Sequence, residues 1–299
     1  GIDFGGVEGN RHSGLTSPWE RPPSLFTVHE AQVGKILFFL IGLAIPIVQN
    51  AFLCEVAYWV TVLPESRVIA TSIATAFVLG NIVGVAYTAV ASRTKFTDAQ
   101  TLVGVFVANL LLSILTAALW DDWIGSRRSF SVLILAFFAG GIGNLGSFIL
   151  FSFVSCYTSE MVTAATVGSG MSGFVAAFFV ILQHPSEPYF NSLWYFLIVT
   201  ELVAVGFICF LHAGFTKTGR ALRIFEYNQG HNQSKLIQRD AQGNVTTTQD
   251  DIRAGSVLLL QMLLVSLVSY LIPPMIPYFS PTLSPDQIIY LLGLFLMGL

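Results

Sequence analysis

The sequence predicts an all-α polytopic membrane protein, and three observations support this fold class. Of 299 residues, 54% are hydrophobic and only 10% are charged, which lies outside the range of soluble globular domains. The apolar residues gather in runs of about 20, the length that a helix needs to cross roughly 30 Å of hydrocarbon. These runs are continuous and do not alternate with polar residues, as expected for membrane-spanning helices.

Six apolar runs precede a long polar segment, and each run predicts one transmembrane helix. They lie near residues 36–61, 68–91, 100–120, 130–154, 161–183 and 190–212. A seventh run follows at 254–273, and an eighth begins near residue 286. Six helices, a polar loop and further helices are typical of major-facilitator-like transporters, which are built from two packed bundles.

This pattern divides the chain into four parts. We expect a polar N-terminal tail over 1–35, a six-helix bundle over 36–213, a loop over 214–253, and the start of a C-terminal bundle over 254–299. The chain begins with Gly1 and ends inside an apolar run, so we also expect it to be a fragment of a longer protein.

The distribution of Lys and Arg predicts a cytoplasmic N-terminus. With that orientation, eleven basic residues lie on the cytoplasmic side, namely Arg11, Arg21, Lys35, Arg93, Lys95, Lys217, Arg220, Arg223, Lys235, Arg239 and Arg253. Only Arg67, Arg127 and Arg128 lie outside, so the positive-inside rule makes the 214–253 loop cytoplasmic. Two glycosylation sequons in that loop, at Asn232 and Asn244, favour the opposite side, and the charge count outweighs them.

Small residues are concentrated in the fourth and fifth apolar runs. The seven glycines there are Gly140, Gly141, Gly143, Gly146, Gly168, Gly170 and Gly173. Glycine weakens a helix in water by about 1 kcal/mol relative to Ala, whereas in lipid it lets two helices approach closely. We therefore expect Gly168, Gly170 and Gly173 to be helix-packing positions.

Polar side chains within the apolar runs predict a binding site. Gly140, Asn144 and Ser147 fall on one stripe of the fourth helix. In the first helix, Gln49 and Asn50 follow Pro46, which bends a helix and frees a backbone carbonyl. Their amides suit a neutral base or sugar, although hydrogen bonds between helices explain them equally well.

Two glutamates lie within predicted spans and are candidates for proton coupling. Glu201 is at the middle of the sixth helix, and Glu55 is nearer the outer end of the first. A charge at the centre of a bilayer costs about 3 kcal/mol, so such residues are usually functional or paired. The alternatives are a carboxyl group bonded to a neighbouring helix for Glu201 and a carboxylate reaching interfacial water for Glu55.

The sequence contains no pattern that indicates an enzyme. The histidines His12, His29, His184, His212 and His231 are scattered without the spacing of metal ligands. We expect no metal, no cofactor and, because the net charge is −3, no nucleic-acid partner. The expected partners are membrane lipid and a small molecule.

Three segments together resemble the equilibrative nucleoside transporter family. Val48 to Trp59 is similar to that family's Pro-Trp-Asn-x-Phe segment, and Gly168 to Ala177 is similar to its Gly-Gln-Gly-x-Ala-Gly motif. Ser256 to Pro274 is similar to its seventh helix. Gln49 stands where that family usually has Trp, Ser169 where it has Gln, and Glu201 has no usual counterpart.

The resemblance implies transport of a nucleoside or nucleobase by alternating access, facilitative or proton-coupled. Leu53 matches a position that lines the family's pocket, and Asn144 lies near the glutamine that binds the nucleobase. The predicted substrate-binding residues are therefore Gln49, Asn50, Leu53, Asn144 and Ser147. The alternatives are transport of another small polar solute, such as a vitamin, and a non-transporting subunit that acts as a scaffold in a larger membrane complex.

Overall fold

The computed structural model describes residues 28–65, 68–91, 96–121 and 129–216, together with the single positions Thr282, Ser284 and Gln287. The regular secondary structure in these four ranges consists of seven α-helices. These are α1 Val28–Ala44, α2 Ile47–Val62, α3 Val68–Ala91, α4 Asp98–Leu119, α5 Ser129–Val154, α6 Ser159–Gln183 and α7 Ser192–Phe215. The predicted helices at 254–273 and near 286, and nearly all of the 214–253 loop with its sequons, lie outside the described residues.

The first predicted span consists of two helices. Residues 45 and 46 form a turn, and the axes of Gln32–Ala44 and Ile47–Val62 differ in direction by 49°. Pro46 causes the break, because its nitrogen carries no hydrogen and its ring clashes with the preceding turn of a helix. Asn109 of α4 stabilises the break by donating from Nδ2 to the Ile45 carbonyl, at 3.0 Å.

The chain is a multi-pass membrane protein. Helices α4 to α7 are each long and apolar enough to cross a bilayer, and the bent pair α1 and α2 supplies a fifth span. Helix α3 occupies the predicted range 68–91, but its apolar part, Val68–Gly84, is shorter than a full span. The six-span count and the major-facilitator-like arrangement therefore stay predictions, as does the cytoplasmic N-terminus.

Local side chains explain several helix ends. Thr97 and Gln100 form a reciprocal capping box at the start of α4, and Asn191 accepts a hydrogen bond from the backbone of Trp194 at the start of α7. Helix α1 begins at Val28, inside the stretch expected to be a polar tail. Lys35 there pairs with Glu160 of α6 at 3.0 Å, although exposed pairs of this kind add little stability.

Helix α2 is the centre of the bundle. It packs against α3, α5, α6 and α7, and between residues 47 and 59 only Asn50 is not buried. The Phe52 ring contacts Trp59, Phe77 and Phe196, so one aromatic side chain joins α2 to both α3 and α7. The surroundings of α2 therefore determine which of its polar side chains remain accessible.

Glycines allow two helix pairs to pack backbone to backbone. A Cβ atom at Gly42 would overlap the Ala165 carbonyl, and one at Gly168 would overlap the Phe39 carbonyl, so α1 and α6 need both glycines. Helices α3 and α5 meet in the same way, where a Cβ atom at Gly140 would lie 2.6 Å from the Phe77 oxygen. Close approach provides the dispersion contacts that hold helices together in lipid.

The prediction that Gly170 packs against another helix is wrong for the described residues. A Cβ atom at Gly170 would have no heavy atom within 4 Å, and the residue is exposed. Gly168 and Gly173 are buried. Two residues turn a helix by about 200°, so Gly170 lies on the opposite side of α6 from Gly168.

This difference predicts opposite outcomes for two leucine substitutions in α6. Gly168→Leu should reduce the amount of folded protein sharply. Overpacking typically costs about 1–3 kcal/mol of stability, and here the new side chain would clash with the backbone of Phe39, which cannot change rotamer to avoid it. Gly170→Leu should leave folding unchanged. The measurement is the yield of monodisperse protein and its thermal unfolding in detergent. Equal losses in the two variants would contradict the packing that we describe.

Candidate functional site

The neighbouring amide side chains of Gln49 and Asn50 lie on different sides of α2 and contact different helices. Consecutive residues of a helix point about 100° apart, and here this rotation separates them. Gln49 is buried and donates from Nε2 to Asn81 Oδ1 of α3 at 3.4 Å. Asn50 is partly exposed and donates from Nδ2 to Ser172 Oγ of α6 at 2.7 Å. The two residues predicted to act together therefore belong to separate groups.

Gln49 belongs to a buried amide cluster, which we define as Gln49, Asn81 and Asn144. Asn144 of α5 donates from Nδ2 to the backbone carbonyl of Asn81 at 3.5 Å, and all three residues are at most 5% exposed. Gln49 Oε1 and Asn81 Nδ2 have no hydrogen-bond partner among the described residues. The cluster joins α2, α3 and α5, but nothing in it is open to a solute in this conformation.

Asn50 retains hydrogen-bonding capacity. Ser172 Oγ accepts from Asn50 and donates to the Ser169 carbonyl at 2.6 Å, which fixes the orientation of the amide. Asn50 Oδ1 has no partner among the described residues, and its Nδ2 has a second hydrogen. This partly exposed amide lies in the first turn of α2, directly after the break at Pro46. It can therefore offer one acceptor and one donor to a neutral ligand.

The other two predicted binding residues, Leu53 and Ser147, differ in their exposure. Leu53 is completely buried, one turn after Asn50. Ser147 is partly exposed, and its Oγ donates to the Gly143 carbonyl of its own helix at 2.9 Å. A contact of either residue with a substrate stays a prediction.

Glu55 lies at the centre of a second buried cluster, which we define as Glu55, Trp59, Gln183 and Ser192. Glu55 Oε1 accepts from Ser192 Oγ at 2.5 Å and from Gln183 Nε2 at 3.1 Å. Trp59 Nε1 donates to Ser192 Oγ at 3.0 Å. Because the side chain is 0% exposed, the alternative that Glu55 reaches interfacial water is wrong. Through these hydrogen bonds the Glu55 cluster joins α2 to the end of α6 and the start of α7.

Glu201 is far less enclosed than Glu55. It lies on the exposed face of α7, and no hydrogen bond or ion pair links it to the described residues. The structure therefore does not bring the two candidate carboxyl groups together. Proton coupling through either one stays a prediction, which the pH dependence of uptake by Glu55→Gln and Glu201→Gln variants would test.

Reading the sequence missed several residues that complete these groups. Asn81, Ser172, Gln183 and Ser192 are the partners of the predicted residues, and Asn109 holds the break. Asn81 had a usable signal, since it is an amide within an apolar run. Within the described ranges, no group of three or more His, Cys, Asp or Glu side chains is placed to hold a metal ion.

The Glu55 cluster predicts a stability effect. Ser192→Ala removes a donor to Glu55 and the only acceptor shown for Trp59 Nε1, so it should cost about 1–3 kcal/mol of unfolding free energy. Ser72→Ala is the matched control, because the Ser72 hydroxyl donates to the Val68 carbonyl of its own helix. Thermal unfolding in detergent measures both variants. A Ser192→Ala variant as stable as Ser72→Ala would show that the cluster contributes little.

Comparison with known protein families corrects the resemblance to nucleoside transporters. The model of a family described as solute carrier family 52, riboflavin transporter, matches residues 31–188, which is more than half of the chain. No curated protein gives a match. The matched range includes Asn50, the amide cluster and Glu55. The assignment to equilibrative nucleoside transporters was wrong, because glycines at helical spacing and an amide after a bend occur wherever membrane helices pack closely.

This family consists of membrane transporters and not of enzymes, in agreement with the absence of an enzymatic motif from the sequence. The chain therefore belongs to solute carrier family 52, the riboflavin transporter family.

Proposed function

We propose that this protein carries riboflavin, or a vitamin of the same chemical type, across a membrane. The observation that carries the proposal is the family match over residues 31–188. It favours the vitamin alternative over transport of a nucleoside or nucleobase. Riboflavin is an uncharged, planar heteroaromatic ring with a hydroxyl-rich chain, so its recognition requires neutral hydrogen-bonding groups and apolar walls.

Among the described residues, Asn50 suits this chemistry best. Its free Oδ1 is an acceptor for a ring N–H or a hydroxyl, and its second Nδ2 hydrogen is a donor for a ring carbonyl. The hydrogen bond to Ser172 orients the amide before any ligand arrives, which reduces the entropy lost on binding. Broken helices commonly carry the substrate sites of transporters, and Asn50 follows the break at Pro46.

The amide cluster and the Glu55 cluster fix the position of α2, which carries Asn50. Both are buried and join α2 to its neighbours, so they hold Asn50 in place. In this proposal the described helices move as one body during alternating access, and the partly exposed side of α2 meets the substrate.

The proposed function predicts a substrate profile. Full-length protein in proteoliposomes should take up radiolabelled riboflavin, and unlabelled nucleosides or nucleobases should compete weakly because they lack the tricyclic ring. Liposomes without protein give the background. Uptake of a nucleoside, with none of riboflavin, would contradict the proposal.

Asn50 and Asn144 should respond differently to substitution by alanine. Asn50→Ala should raise the apparent KM by about fivefold, the equivalent of one neutral hydrogen bond, with little change in folded protein. Asn144→Ala should reduce the amount of folded protein, because it disrupts the buried amide cluster, while the KM of the remaining protein stays unchanged. Uptake normalised to folded protein separates the two effects. An unchanged KM for Asn50→Ala would remove this residue from the site.

A further inference from the structure

Two buried oxygen atoms of the Glu55 cluster have no hydrogen-bond partner among the described residues. They are Glu55 Oε2 and Gln183 Oε1. Both side chains are 0% exposed, so bulk water does not reach either atom. Buried polar atoms are nearly always hydrogen-bonded, and each exception calls for an explanation. Here the two exceptions belong to side chains that already contact each other, because Gln183 Nε2 donates to Glu55 Oε1 at 3.1 Å.

The hydrogen bonds of the Glu55 carboxyl group are distributed unevenly between its oxygens. The two donors in the described helices, Ser192 Oγ and Gln183 Nε2, both bind Oε1. An ionised carboxylate is an acceptor at both oxygens, so donors are expected at each of them. A carboxylic acid differs, because one oxygen accepts hydrogen bonds while the other carries the proton. The observed pattern matches a carboxylic acid with its proton on Oε2.

The charges around Glu55 favour the same form. The titratable side chains that interact with it electrostatically are Cys54 and Tyr58 of α2 and Tyr195 of α7. Thiol and phenol groups carry no positive charge. His184, which follows α6, packs its ring against Tyr189, and the ion pair within the described ranges joins Lys35 to Glu160. A buried carboxylate without a counter-charge is strongly unfavourable, so the surroundings favour a neutral carboxyl group.

We propose that Glu55 binds a proton on Oε2 and donates it in a hydrogen bond to Gln183 Oε1. With the bond from Gln183 Nε2 to Glu55 Oε1, this closes a ring of two hydrogen bonds between the carboxyl and amide groups. One proton thus satisfies both unpartnered oxygens. A metal ion fits less well, because structural metal ions take about four or more ligands and this pair offers two free oxygens.

The ring holds the junction between α6 and α7 against α2. Gln183 is the last residue of α6 and Ser192 is the first residue of α7, while Glu55 lies in the middle of α2. Release of the proton to water leaves a carboxylate in a site without a counter-charge. The proton therefore leaves only when the junction separates from α2 and water enters. The bound proton stabilises the closed junction whichever solute the protein carries.

Infrared spectroscopy of the full-length protein in lipid tests for this proton. The carbonyl band of a carboxylic acid is separate from the bands of a carboxylate and shifts in heavy water. Glu55→Gln should remove one such band, and Gln183→Met should shift it, because the acid loses its acceptor. Glu187→Gln, the same change at an exposed carboxyl group before α7, is the matched control and should leave the band unchanged.

Two infrared results would overturn the proposal. If Glu55→Gln removes no carboxylic acid band, the Glu55 side chain is ionised. If Gln183→Met leaves the Glu55 band in place, Oε2 donates to a different acceptor and the ring does not exist.

Thermal unfolding of the full-length protein in detergent tests the ring independently. Glu55→Gln places an amide donor where the protonated oxygen lies, so its Tm should stay within about 2 °C of the unsubstituted protein, whereas Glu55→Met should lower the Tm by about 5 °C. Gln183→Met should have a smaller effect in the Glu55→Met background than alone, as expected for side chains that bond to each other. Equal losses from Glu55→Gln and Glu55→Met, or additive effects of the two methionine substitutions, would contradict the ring.

Discussion

Hydrocarbon contains no water to satisfy a free backbone carbonyl, and this constraint determines how α1 and α2 meet. Pro46 breaks the first span and bends it by 49°. The Asn109 side chain then donates to the Ile45 carbonyl, so the break lies where α4 supplies a hydrogen bond. The direction of α2, and of every side chain that it carries, follows from this junction.

The second constraint is how closely the backbones of neighbouring helices approach one another around α2. Apolar side chains gain little by moving from lipid to a protein interior, so membrane helices associate through close contact. Gly42 and Gly168 let the backbones of α1 and α6 touch, and Gly140 does the same for α3 and α5. These two tight pairs position α5 and α6 beside α2, which places Asn144 near Gln49 and Ser172 next to Asn50.

The polar residues of the bundle differ in how completely the protein satisfies them. The side chains of the amide and Glu55 clusters are buried and form hydrogen bonds between helices. Asn50 is oriented by Ser172, and its Oδ1 has no partner among the described residues, as the proposed binding role requires. Glu201 is exposed and has no partner in the described bundle. Residue type alone did not separate these roles, which is why short motifs of amides and glycines suggested the wrong transporter family.

The sequence by itself determined the helical membrane class, the break near Pro46 and most helix positions. The predicted range 68–91 coincides with α3, because the length of an apolar run and the presence of proline are local properties. It also identified Asn50, Glu55 and Gly168 as residues of interest. Only the tertiary structure decided that Gln49 is buried while Asn50 remains accessible, and that Gly170 is exposed while Gly168 is packed. The physical reason is that the helix geometry fixes the angles between residues but not which side of the helix is buried. Apolar side chains have similar free energies in lipid and in a protein interior, so a helix that is apolar on all sides does not mark its buried face. The packing of the other helices therefore selects that face.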